Sequence, residues 1–372
     1  MTIYIYQKDG WPDFTWDDKI LMLPLGNVRN LQGKLVGKMA ALGFSPENDA
    51  VLKTMTLDVL KSAEIEGEKL GPAQVRSSVA RHLKIHISDM VPSGRDVDGM
   101  VEMMVDATQN YHAPLTEARL FSWHTGLFPD GKSGIHQITT GNWRKDENGP
   151  MYVISGPIGK EKIHYQAPEA SAIPVEMDRF LAWANSGSEN GVNRMDPVIQ
   201  AGVAHLWFVT IHPFDDGNGR IARAISDLFL ARADGVPQRF YSMSAQIQKE
   251  RKKYYEMLEK TQKGTLDITE WLLWFLKCLE NALIEADNIL KNTLHKADFW
   301  KKHAGISMNE RQKLMVNKLL DGFDGQLKTS KWAKITKCST DTALRDIKNL
   351  VEKGVLKQEA QGGRSTNYVL VG

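Results

Sequence analysis

The twelve residues "HPFDDGNGRIAR", His212 to Arg223, hold a histidine, two aspartates, two glycines and two arginines directly after an apolar run. In such company a histidine can take a proton from a hydroxyl, and an aspartate can offer Mg²⁺ a hard oxygen beside nucleotide phosphates. Arg220 and Arg223 can grip phosphate oxygens with paired donors. The Gly217-Asn218-Gly219 backbone can adopt φ > 0, and a helix starting there aims free N–H groups at an anion. Each residue also has a plainer reading. A lone histidine is more often a surface or core residue, Asp-Gly and Asn-Gly are common turn dipeptides, and two arginines one turn apart often coat a solvated helix face. An EF-hand loop is excluded, because its alternating ligands and distal glutamate are missing. Together, at this spacing, the residues favour phosphate chemistry.

Two helices must present this loop. "MDPVIQAGVAHLWFVTI" predicts the first, with Asp196 as N-cap, Pro197 at the first helical position and Ile199, Val203 and Leu206 on one face, so His212 stands at its C-terminal end. Ile221, Ile225, Leu228 and Phe229 predict the second from about Gly219, with Arg220 and Arg223 on a face these apolar residues leave free. Between Gly141 and Pro168 a run from Met151 to Ser155, a Gly/Pro turn and a run from Ile163 to Gln166 predict a hairpin inside a helical region.

The 372 residues suit two or three domains, and 42% hydrophobic with 25% charged residues is ordinary for a globular protein. No run longer than 18 residues is free of Asp, Glu, Lys and Arg, so no membrane span is expected, and the most apolar segment, from Asp267, repeats at helical spacing like a core helix. "MTIYIYQKDG" lacks a signal-peptide pattern, and a cytoplasmic location is the expectation. Cys278 and Cys338 are too few for a metal cluster or a disulfide framework. Residues 1–95 read as a helical region, with helices near Gly26 to Leu42, near Ala50 to Glu66 and from "GPAQVRSSVARHL", and residues 96–292 as the mostly helical centre. Residues 306–372 read as three helices followed by two β-runs around Gly362 and Gly363, the pattern of a winged helix-turn-helix. That region carries 12 Lys and Arg against 7 Asp and Glu, which suits DNA, although protein contact or dimerisation is the equal alternative.

The loop resembles the Fic family, whose motif is His-x-Phe-x-(Asp/Glu)-Gly-Asn-(Gly/Lys)-Arg-x-x-Arg. His212, Phe214, Asp216, Gly217, Asn218, Gly219, Arg220 and Arg223 match every position. The hairpin resembles the family's flap, with Val153, Ile154, Ser155 and Gly156 in it. "KKYYEMLEKTQKG" resembles the segment flanking the adenine pocket, where Tyr254 and Tyr255 carry over and Gln262 stands in place of the frequent Asn. The resemblance implies a mostly α fold: a Fic helical core with a β-hairpin flap, an N-terminal helical region and a C-terminal winged helix, as in bacterial members. It implies transfer of AMP from ATP to a Tyr, Ser or Thr hydroxyl of a target protein, which can be the enzyme itself. His212 would be the base and Asp216 the Mg²⁺ ligand. Gly217, Gly219 and the Asn218 side chain would cradle phosphates, Arg220 and Arg223 would offset the β- and γ-phosphate charge, and Phe214 would anchor the loop. Gly219 favours nucleotidyl transfer, since Doc-type relatives with Lys there phosphorylate.

Upstream, "KSAEIEGEKLG" gathers Glu64, Glu66 and Glu68 at the end of a predicted helix, where the dipole already presents negative charge, so a nearby cation is expected. A solvated helix end is the plain alternative. "SAEIEG" matches the family's inhibitory motif (Ser/Thr)-x-x-x-Glu-(Gly/Asn) with Ser62, Glu66 and Gly67, which implies that Glu66 pairs with Arg223 and misaligns ATP. Two other readings stay open: a DNA-binding regulator whose core only senses nucleotide, and a hydrolase that removes AMP through water activated by Glu66. A homodimer is the open expectation for its assembly.

Overall fold

The structure is a computed structural model and describes residues 3–41, 44–147, 149–157, 159–186, 195–320, 323, 325–359 and 367–371. The chain divides into two compact units, Met1–Ala286 and Asp287–Gly372. Residues on both sides of position 95 therefore share one unit, because the N-terminal helices pack on the central ones.

The first unit opens with α1 (Asp18–Ala40), α2 (Phe44–Ile65) and α3 (Pro72–His82). Helix α1 begins well before the expected Gly26: the Asp17 carboxylate accepts from Lys19 N at 2.9 Å and Ile20 N at 3.3 Å, and this cap nucleates a helix that carries Pro24 inside it. Then come α4 (Arg95–Gln109), α5 (Glu117–Leu127) and two short antiparallel pairs, β1 (Lys132–Ser133) with β2 (His136–Gln137) and β3 (Tyr152–Ser155) with β4 (Lys162–Gln166). The remaining helices are α6 (Ile173–Asn185), α7 (Pro197–Ile211), α8 (Asn218–Asp234), α9 (Met243–Lys249), α10 (Arg251–Gln262) and α11 (Thr269–Lys302), whose residues from 287 onward belong to the second unit. The pairing of β3 and β4 lies where the sequence predicts a hairpin.

Helix α7 is the centre of this unit. From Val198 to Ile211 every residue except Gln200 is buried, as a helix that is apolar all round must be. Asp196 caps it by accepting from Val198 N at 2.8 Å. Helix α8 packs along α7, and α11 seats on α7 through Trp271, whose Nε1 donates to Gly202 O at 2.8 Å. A Cβ at Gly202 would lie 2.9 Å from Leu272, so glycine is what lets α11 approach. Trp271 is fully buried, and truncating it to alanine would cost about 3–5 kcal/mol. Helices α4 and α5 meet in the same way: a Cβ on Gly99 would collide with the Gly126 carbonyl.

The second unit contains α12 (Glu310–Leu320), α13 (Thr329–Thr336), α14 (Thr340–Glu352) and the antiparallel pair β5 (Leu356–Gln358) and β6 (Tyr368–Leu370). Trp332, Met315, Ile347, Leu350 and Val355 form its core, and Leu327 bridges to Tyr368 beside the ribbon. The turn expected at Gly362 and Gly363 lies outside the described residues. Among the described residues no helix is long and apolar enough to cross a membrane.

Candidate active site

Helix α7 ends at His212, whose backbone is left-handed at φ 54°, ψ 57°. A non-glycine residue there carries strain of about 1–3 kcal/mol and persists only where its surroundings hold it. Here Arg144 holds it. Its buried guanidinium donates from Nε to His212 O at 2.9 Å and pairs with Asp146 at 2.6 Å, while Arg144 N donates to Pro213 O at 2.9 Å. His212 Nδ1 lies 3.2 Å from Val209 O. A carbonyl can only accept, so Nδ1 carries the proton and Nε2 keeps its lone pair. Burial pushes the His212 pKa down to about 4, against the Val209 carbonyl, which raises it. The imidazole is thus neutral at neutral pH, the form a general base needs.

The loop that follows is braced from several directions. Phe214 is fully buried and stacks on His124, ring centres 4.1 Å apart and 8° from parallel, as the expected anchor. His124 Nε2 donates to Asp216 O at 3.2 Å and Nδ1 accepts from Gly141 N at 3.3 Å, a pair of contacts only the neutral ring can make. Burial accordingly drives its pKa down to about 4. Asp215 accepts from Thr139 N at 2.8 Å.

Two sequence expectations change here. The Asn218 side chain does not face a phosphate site: its Oδ1 accepts from Phe214 N at 3.0 Å and its Nδ2 donates to Phe214 O at 2.7 Å, so it is a buried staple across the loop. Of the two glycines only Gly217 takes positive φ, at 83°; Gly219 is already helical, and its missing side chain leaves room for the Glu66 carboxylate, which a Cβ would strike. Helix α8 starts at Asn218 with Gly217 as N-cap and no side-chain cap, which leaves its first N–H groups available to an anion.

Asp216 accepts from Gly217 N at 2.5 Å and from the Ser133 hydroxyl, and Arg220 approaches it at 3.4 Å. Its side chain remains 42% exposed. Among the described residues no three acidic, histidine or cysteine side chains converge as a closed metal cage. A lone, open carboxylate beside an anion-binding helix end fits Mg²⁺, which takes one or two carboxylates and completes its shell with water and phosphate.

The arginines do not lie on a free face, as the sequence implies; they are 3% and 2% exposed, because the end of α2 covers them. Arg223 donates from Nε to Ser62 Oγ at 2.9 Å, from Nη2 to Ser62 O at 2.9 Å and from Nη1 to Glu66 Oε1 at 2.8 Å. Arg220 grips both Glu68 oxygens at 2.7 and 2.8 Å, while its own Nε is buried without a partner. An orphaned guanidinium N–H at this depth fits an anion that the helix end is shaped to take. Arg251 Nε donates to Ile65 O at 2.6 Å, so the last carbonyls of α2 receive the cations that its dipole favours. Gly67 turns the chain away at φ 87°. Each acid of the upstream cluster has found its cation: Glu64 with Lys61, Glu66 with Arg223 and Glu68 with Arg220.

A cleft of about 850 Å³ opens beside this contact, and His212, Glu66, Gly219, Tyr255 and Gln262 line it together with the strand residues Val153, Ile154 and Ser155. Gly156, at φ 105°, turns the chain out of β3. Tyr255 OH lies 3.2 Å from both Ile65 O and Glu66 Oε2, and burial lifts its pKa to about 12, so it stays a donor. Gln262 reaches Thr210 Oγ1 at 3.4 Å, and Tyr254 is buried with its hydroxyl 2.8 Å from His205 Nε2. Sequence reasoning missed Arg144, His124, Ser133 and Arg251. Glu68 was visible only as one acid in a cluster.

Residues 114–230 match the family described as Fic/DOC, so the chain carries a domain of that family, and residues 4–85 match one described as a domain of unknown function, DUF4172. The chain is 29% identical over 228 residues to the protein adenylyltransferase Fic of Culex quinquefasciatus, covering 60% of this chain and 40% of that protein. It is 34% identical over 256 residues to the protein of the same name in Drosophila willistoni, covering 67% and 46%. The chain thus spans less than half the length of these two relatives. A Fic family protein from Desulfovibrio desulfuricans G20 has a similar structure over 97% of this chain and 98% of its own, with a TM-score of 0.52 at 18% identity. Fic-1 from C. elegans, residues 134–508, is similar over 74% and 75%, with a TM-score of 0.51 at 20% identity. At such identities these likenesses establish a shared, mostly helical fold.

Proposed function

We propose that the chain is a protein adenylyltransferase that moves AMP from ATP to a tyrosine, serine or threonine hydroxyl of a protein, and that Glu66 restrains it. One observation carries the reading: neutral His212 shares a cleft with the uncapped N-terminus of α8, behind which two buried arginines stand. The adenylyltransferase relatives support it.

In this mechanism Tyr255 and Gln262 flank the adenine, and the N–H groups of the first turn of α8 hold the phosphates. Arg220 and Arg223 offset their outer charge, with Asn218 and Phe214 fixing the loop rather than touching ATP. A target segment adds to β3 by backbone pairing and brings its hydroxyl to His212. His212 Nε2 accepts the hydroxyl proton as the oxygen bonds to the α-phosphorus, and pyrophosphate leaves as the bond to the β-phosphate breaks. Asp216 would hold Mg²⁺, which would supply positive charge to offset that of the phosphates. In the resting chain Glu66 and Ser62 occupy Arg223, and Glu68 occupies Arg220, so ATP binds without the partner for its γ-phosphate. ATP labelled at the α-phosphate tests this: label should enter protein, far more in Glu66→Gly than in wild type, and incorporation by neither chain would refute it.

A second activity, hydrolytic removal of AMP, is supported by one feature. The Glu66 carboxylate lines the same cleft as His212 and can orient water. The second unit we read as a winged helix in the three-part arrangement of bacterial members, with duplex DNA as its partner. Its support is the order of three helices and a ribbon, and Arg345 and Lys348 exposed on α14.

A further inference from the structure

The flap carries a constellation that the transfer mechanism does not use. Ser155 Oγ, at the end of β3, lies 2.6 Å from His164 Nε2 on β4, and His164 Nδ1 lies 2.6 Å from Glu259 Oε2 on α10. The second contact fixes the first. A carboxylate oxygen accepts, so His164 donates from Nδ1 and presents its Nε2 lone pair to the Ser155 hydroxyl, which therefore donates. Glu259 is held for this role, since Lys263 takes its other oxygen at 2.6 Å. The strands are shaped for it as well. Ser155 pairs with Lys162 and Ile154 with Ile163, but Val153 pairs with Tyr165, so His164 is the extra residue of a bulge. Bulges beside active sites re-aim side chains, and this one turns the imidazole toward Ser155 and α10 while Tyr165 stays buried. A nucleophile within reach of a base, with that base oriented by a third group, is the arrangement that activates hydroxyls. Ser155, His164 and Glu259 line the same cleft as His212 and Gly219.

We infer that Ser155 is itself an AMP acceptor, activated by His164 and Glu259, so that the enzyme can modify its own flap. This rests on the reading of the cleft as an ATP site. In the step, Ser155 Oγ bonds to the α-phosphorus of ATP and its proton passes to His164 Nε2. The bond from the α-phosphorus to the oxygen bridging to the β-phosphate breaks, and pyrophosphate leaves with that electron pair. The product is a phosphodiester on β3, whose bulk and charge obstruct the strand edge that target segments use, so the modification limits the enzyme's own turnover.

Two measurements on the full chain test this. A fluorophosphonate probe needs no ATP and reports hydroxyl activation alone: it should label Ser155 in the wild type, and His164→Gln and Glu259→Gln should each slow labelling at least tenfold. Glu66→Gly with ATP and Mg²⁺, mapped by peptide mass spectrometry, should carry AMP on Ser155. Absent labelling, or labelling indifferent to both substitutions, overturns the relay. AMP found only on other residues, or pyrophosphate released with no adduct, overturns the acceptor assignment and leaves the nucleotide reading standing. Neither adduct nor pyrophosphate removes that reading, and this inference with it.

Discussion

His212 is strained, neutral and aimed by groups distant in sequence, and its chemistry follows from those three conditions. His212→Ala should leave ATP binding in place and remove AMP from every acceptor outside the flap, because a base acts on the chemical step and not on phosphate gripping; the check is ATP titration beside adduct mapping. Burial lowers the His212 pKa from an ordinary 6.5 to about 4. Protonation, which disables the base, therefore sets in only as pH falls toward 4, and kcat/KM for ATP, which reports the free enzyme, should stay level from pH 8 down through 6. An acidic limb at 6.5 would contradict this. Arg144→Ala releases the His212 carbonyl and should lower kcat about a hundredfold with ATP affinity unchanged, a split that rapid-mixing kinetics resolves. At this scale the motif residues were legible because they lie within twelve positions of one another. Arg144, Ser133 and His124 were not, since they reach the motif across 68, 83 and 92 residues and only the tertiary fold brings them there.

The elements that matter most are α2, α8 and the β3–β4 hairpin. Helix α2 is anchored from behind by Asp58, which accepts from Ser242 Oγ at 2.5 Å and Ser244 N at 3.2 Å, so its end arrives on the arginines with a defined register. Glu66 is 28% exposed and Glu68 45%, while each meets a fully covered arginine. Solvent screens Glu68 more, so Glu68→Gln should raise AMP transfer by the equivalent of about 1 kcal/mol at most, less than Glu66→Gly raises it; initial rates of adduct formation decide. Proline at Val153 would remove a donor from β3 and should lower transfer to protein acceptors more than it lowers ATP affinity. Equal losses would give the hairpin a purely structural role. The hairpin, α7 and the end of α2 were readable from periodicity, caps and turn residues. The start of α1 was not, because Pro24 disguised a helix that the Asp17 cap had already begun, and the covered face of α8 was not, because Ile221, Ile225, Leu228 and Phe229 say nothing about what polar partner lies opposite the rest.

At the scale of the whole molecule, the first unit holds every residue of the proposed transfer and its restraint, and the second adds a basic surface. If that surface meets duplex DNA, Arg345→Ala with Lys348→Ala should weaken binding in a gel-shift titration, and the affinity of the unaltered chain should fall steeply with salt. Binding indifferent to salt would assign the unit to protein contact. Composition made the excess of lysine and arginine in residues 306–372 visible, whereas the packing of the N-terminal helices into the first unit was invisible, since nothing in a run of helices states which of them share a core.

Restraint by Glu66 on Arg223 is the central claim, and the most direct measurement compares AMP transfer by the wild type, Glu66→Gly and Glu66→Gly with Arg223→Ala, using ATP labelled at the α-phosphate. Transfer should rise by about tenfold or more in the single variant, the equivalent of about 1.4 kcal/mol at the barrier, and collapse in the double one because ATP needs the same arginine. Unchanged rate and unchanged ATP affinity in Glu66→Gly, or full activity without Arg223, would contradict it.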